Sequence, residues 1–139
     1  MLLLATSLLP TDRPAAASET TSIGVTPYGS TLLAQINLLR RDSGLGELTF
    51  DPAMVKVART HSFHMFQEQR ISHLGFKKRF AQSGSRLCVE NVGWNFSNPL
   101  NQFDAWHGSV GHDRNMLVED LRKAGIAEVG GYVTFIACR

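Results

Sequence analysis

Three observations predict an α+β fold. Helical apolar periodicity fills the first half of the chain, β-like segments gather in the second, and the two do not follow the strict alternation of a parallel α/β sheet. At 139 residues, with 43% hydrophobic and 19% charged side chains, the chain suits one globular domain with a single core.

The elements follow in order. Ser30 can cap a helix whose apolar stripe runs through Leu32, Leu33, Ile36 and Leu39 and which Ser43-Gly44 stops. Asp51-Pro52 opens a second helix, with Asp accepting from free backbone amides and Pro where a missing N–H costs nothing. Met54, Ala58, His61, Ser62 and Met65 then share one face, and the helix should end near Gln69. A less regular helix is expected around Phe76 to Gln82, and a short strand over Leu87 to Val92. Asn98-Pro99 starts another helix, with Leu100, Phe103 and Trp106 or His107 facing inward. Gly108 to Gly111 breaks it, and a helical turn follows through Met116. Gly125 to Val129 and Tyr132 to Cys138 read as two β segments around a Gly130-Gly131 hairpin turn.

The N-terminus differs in character. Met1 to Pro10 is leucine-rich, and Ala15-Ala16-Ala17 before Ser18 reads as the cleavage site of a secretory signal over residues 1–17, although no Lys or Arg precedes the apolar run. Residues 18–29 read as a linker and residues 30–139 as the domain. The expectation is a secreted, extracellular or cell-envelope protein acting as a monomer, with no apolar run near the roughly 20 residues that span a bilayer. In such a compartment Cys88 and Cys138, the only cysteines, invite a disulfide; two unrelated buried thiols are the alternative if the chain is not exported. A formal charge of +2 with mixed signs gives no basic stripe, which argues against nucleic acid as a partner. The run Lys77-Lys78-Arg79 reads as a solvated helix face.

Five histidines stand at 61, 64, 73, 107 and 112. His61 and His64 are spaced for one helix face but lack the rest of a metal motif, so packing is expected for His61 and exposure for His64. His107, beside Trp106, reads as structural or solvated. His73 and His112 fall in segments rich in small and polar residues, where binding groups concentrate. Glu90 lies in an otherwise apolar strand, so its carboxylate needs a partner or a cavity. Two imidazoles and a carboxylate can hold a divalent metal, exchange protons near neutral pH, or form a buried hydrogen-bonded network. Sequence separation does not bring the three together.

The order of several motifs resembles the CAP superfamily of cysteine-rich secretory, antigen and pathogenesis-related proteins, in its short bacterial form. The match runs from about Leu32 to Cys138. It includes Leu32-Leu33-Ala34-Gln35-Ile36-Asn37, Ala58-Arg59-Thr60-His61-Ser62, Ile71-Ser72-His73, Glu90-Asn91-Val92, Trp106-His107-Gly108-Ser109-Val110-Gly111-His112 and the terminal β segments. The resemblance implies a three-layer α-β-α sandwich around a central, mostly antiparallel sheet, with a cleft lined by His73, Glu90 and His112. Asn91 and Ser109 are counted with that cleft. It further implies a divalent cation such as Zn²⁺ on His73 and His112, with Glu90 as third ligand, or a lipid-like ligand. Ser109 stands where many eukaryotic relatives have a second Glu, which reduces a tetrad to a triad. Val89, Val110 and Asp113 also depart from the usual pattern, Asp113 adding a carboxylate at the rim.

Fold does not give reaction type. The leading expectation is a non-enzymatic module binding a small apolar, lipid-like or cell-envelope ligand. The alternatives are a metal-assisted envelope hydrolase, with Glu90 as ligand or general base, and a structural or signalling domain recognised by a protein partner.

Overall fold

The computed structural model describes residues 24–139. The expected leader and the start of the expected linker lie outside the described residues.

The first helix, α1 (Pro27–Asp42), begins before Ser30. Thr26 is extended, its hydroxyl accepts the Gly29 N–H, and Pro27 fills the first helical position. The opening turn therefore lies inside the stretch expected to be linker, and the Thr-Pro pair, not Ser30, sets the start. The next element, β1 (Thr49–Phe50), was not anticipated, because two residues carry no alternation to read. Helix α2 (Pro52–Glu68) starts as expected, with Asp51 accepting from the Met54 N–H at 3.0 Å, and it buries Met54, Val55, Ala58, His61, Ser62 and Met65.

A short α3 (Phe76–Gln82) precedes β2 (Cys88–Trp94), which runs two residues beyond the expected strand. Asn98 caps α4 (Pro99–His107) through the Leu100 N–H. Of its expected inner face, Trp106 is buried and Phe103 packs on the core, but Leu100 is 41% exposed and Gln102 is buried instead. Helix α5 (Val110–Met116) starts within the expected glycine break, directly after Ser109. The hairpin strands β3 (Lys123–Val129) and β4 (Tyr132–Cys138) complete the chain.

The sheet order is β1-β3-β4-β2, with β1 parallel to β3 and the other pairs antiparallel. Helices cover both faces, which gives the expected three layers. Strand β4 is buried along its whole length, and its alternation divides the core. Val133, Phe135 and Ala137 join Leu32, Leu33, Ile36, Trp106 and Met116 on the face covered by α1, α4 and α5. Ile136 and Cys138 join Met54 and Ala58 on the α2 face, where Tyr132 packs with Met65 and Val92. The α2 layer approaches very closely. A side chain at Gly125 would strike the backbone of Met54, so only glycine allows this contact. Ser62 donates to the Ala127 carbonyl at 2.9 Å and accepts from the Thr134 hydroxyl at 2.8 Å, which satisfies the buried hydroxyls beneath α2.

Cys88 and Cys138 are disulfide-bonded. They stand directly opposite each other on β2 and β4, with Cα atoms 4.1 Å apart. The bond fastens the start of the edge strand to the end of the central one.

Candidate functional site

Glu90 pairs with Ile136 across the β2–β4 ladder, so the two side chains share a face, and that face looks at α2. Its neighbour Asn91 points to the opposite face. Because β2 is an edge strand, residues from both helical layers can meet around it.

The Glu90 side chain is 2% exposed, and its carboxylate is held by a guanidinium. Arg79, on α3, donates from Nε to Oε2 at 2.6 Å and from Nη2 to Oε1 at 2.7 Å. Paired, charge-assisted bonds of this kind engage both carboxylate oxygens and offset the cost of burying them. Arg79 also donates from Nη1 to the Leu74 carbonyl at 2.8 Å, and this ties the loop before α3 to the same fork. Gly75 makes room for that contact. It takes φ 81, and a side chain there would meet Arg79 Nη1.

His73 reaches the carboxylate from the solvent side, with Nδ1 3.0 Å from Oε1 and a side chain 54% exposed. His61 reaches it from α2, with Nε2 3.8 Å from Oε1. That nitrogen lies 2.6 Å from the Ser72 carbonyl, an acceptor only, so Nε2 carries the proton. Burial pushes the His61 pKa down, and the Arg79 charge adds to this, against a smaller upward pull from Glu90. His61 is thus a neutral wall of the network.

His112 enters from α5 at the other side of the edge strand, its ring 6.4 Å from that of Trp106. Burial lowers its pKa and the nearby His73 lowers it further, so the two imidazoles share one electrostatic neighbourhood. Of the three expected residues, His73 and Glu90 are in direct contact, while His112 feels His73 only through its charge. Asn91 is fully buried and donates to the His112 carbonyl at 3.0 Å, so it positions α5 and lines no open space. Ser109 precedes α5 and makes no side-chain cap bond. Asp113 accepts from His107, Nδ1 to Oδ1 at 2.7 Å, outside this network.

Two members were missed from sequence. Arg79, read as part of a solvated run, is buried, and His61, read as packing, is buried but also borders Glu90. The signal for Arg79 was available in Glu90 itself, since a buried carboxylate calls for a permanent cation more than for imidazoles that are neutral at pH 7.

The donor set does not fit a divalent cation ligated by Glu90. Both carboxylate oxygens are bonded to Arg79, Nδ1 of His73 faces the same carboxylate, and Nε2 of His61 is committed to Ser72. Among the described residues, no three His, Cys, Asp or Glu side chains stand where they could hold a metal.

Beside the network, between α2 and α3, lies a cavity of about 520 Å³. His61 and Arg79 form its inner wall, with Val57, Met65 and Leu74 as apolar lining and Lys56 and Lys78 among its polar groups. His73, Glu90 and His112 are not part of that lining. No helix among the described residues is long and apolar enough to cross a membrane.

Residues 33–136 match the family model described as the cysteine-rich secretory protein family, CAP. Among solved structures, an extracellular protein of Bacillus anthracis containing an SCP domain superposes with a TM-score of 0.74 at 22% identity, over 83% of this chain and 44% of that one. A cysteine-rich secretory protein of Staphylococcus aureus gives 0.71 at 16% identity, over 78% and 37%. An outer surface protein of Borrelia burgdorferi gives 0.69 at 20% identity, over 79% and 89%. The chain thus spans less than half the length of the first two and most of the third. A search of curated proteins finds no match.

Proposed function

The chain belongs to the cysteine-rich secretory protein (CAP) family, and on that premise we propose that it is an exported, non-enzymatic binding module for a small lipid-like or cell-envelope ligand. The observation that carries this reading is the cavity of about 520 Å³ between α2 and α3. Its volume lies in the range of small-molecule sites, and its lining sets the apolar Val57, Met65 and Leu74 beside charged groups such as Lys56, Glu68 and Lys78, a mixture that suits an amphiphile. Glu90 lies behind the cavity wall and is joined to it by Arg79, which lines the cavity together with His61. Export accords with the disulfide and with structural neighbours described as extracellular or outer surface proteins.

Binding is favoured over hydrolysis by the state of Glu90. A general base needs a lone pair within reach of a water, and this carboxylate is 2% exposed and paired with a guanidinium that disfavours its taking up a proton. Organic extraction of the purified chain should release a bound lipid, and a lipid and cell-wall panel should raise the melting temperature without any product forming. A chain that releases nothing and shifts with no member of the panel would sink this reading.

A further inference from the structure

We propose that Arg79 is the built-in cation of this cleft, standing at Glu90 where a divalent metal would otherwise sit, so that the His73, Glu90 and His112 cluster works without metal. The inference rests on the geometry of the carboxylate and not on the identity of any ligand.

A carboxylate as buried as Glu90 must be neutralised, and either a dication or a guanidinium can do so. The guanidinium is already there, spanning both oxygens at 2.6 and 2.7 Å. It cannot lose its proton at accessible pH, so titration does not vacate the position. A metal arriving at Glu90 would have to expel Arg79 and leave a charge uncompensated in a site that is 10% exposed. It would also break the bonds from Arg79 to the Leu74 and His73 carbonyls, which hold the loop before α3. The remaining ring nitrogens do not compensate, because a protein zinc site uses at least three protein ligands and, with Glu90 held by Arg79 and His61 bonded to Ser72, only His73 and His112 are left.

If Arg79 occupies a metal's place, removing it should uncover a metal site. Co²⁺ titration of the full chain, followed by visible ligand-field absorption, and Zn²⁺ titration by calorimetry read this directly. The wild type should show no one-equivalent binding. Arg79→Met should bind one equivalent about tenfold or more tightly than the wild type, and Glu90→Gln added to it should abolish the gain. Arg79→Lys, which keeps a cation, should remain silent. One-equivalent binding by the wild type that is lost in His73→Ala overturns the proposal. So does a folded Arg79→Met with no gain. If Arg79→Met does not fold, the titration is read as recovery of its circular dichroism on adding Zn²⁺, and failure to recover also overturns it.

Discussion

The two faces of the sheet are built on different principles. The face under α1, α4 and α5 is packed with large apolar side chains, among them Leu32, Ile36, Trp106, Met116 and Phe135, and its stability is that of a dry core. The α2 face has a closer helix but a smaller apolar cluster, and it carries the Ser62–Thr134 bond, the buried Glu90–Arg79 pair and, at its margin, the cavity. The contrast shows where each role sits in this fold. One face supplies stability, and the other places polar groups and open space on the scaffold that stability provides.

Substitutions on the two faces should therefore fail differently. The largest effect is expected for Trp106→Ala, which empties the dry face and removes the indole bond to Val92; about 3–5 kcal/mol should be lost, measurable by urea denaturation. On the polar face Glu90→Ala should cost about 3 kcal/mol because it strands the Arg79 charge. The double change Glu90→Leu with Arg79→Met should cost clearly less than Glu90→Ala alone, since an apolar replacement leaves nothing unpaired. If the double variant is the worse of the two, the pair contributes packing and not charge compensation. Ser62→Ala should lower stability by about 1 kcal/mol, without altering ligand uptake. The smallest effect is a tilt with pH. His61 and His112 have pKa values lowered by folding, so the unfolded chain binds more protons. Stability is then full above the unfolded histidine value of about 6.5 and declines as pH falls below it. His61→Gln should flatten the decline in denaturation midpoints between pH 7 and 5; an unchanged slope would assign it to other groups.

Much of the architecture was legible because it rests on local chemistry. Asp51-Pro52 and Asn98-Pro99 mark helix starts by capping, and the alternation from Tyr132 to Cys138 marks a strand whatever the tertiary context. The early start of α1 was hidden because Thr26-Pro27 lies in a stretch whose Gly, Ser and Pro content reads as linker. Leu100 was expected inside and lies outside because helix periodicity alone does not choose between adjacent faces when Gln102 can be buried against Gly93. At the site, His73, Glu90 and His112 could be named but not joined, since their approach depends on α3 and α5 flanking an edge strand. Arg79 escaped notice for a related reason. In a run of three cations the sequence does not say which one turns inward, and here only the third reaches the buried carboxylate.

The edge position of β2 has a further consequence. An edge strand offers unpaired backbone groups to any passing strand, which is the usual starting point of edge-to-edge aggregation. Here two side chains occupy that edge. Trp106 donates its indole N–H to the Val92 carbonyl at 3.1 Å, and Asn115 donates to the Glu90 carbonyl at 3.2 Å. With those acceptors taken and α5 packed alongside, a second molecule has little to template on. The contacts that set the cleft in place also keep neighbouring chains from zipping onto it.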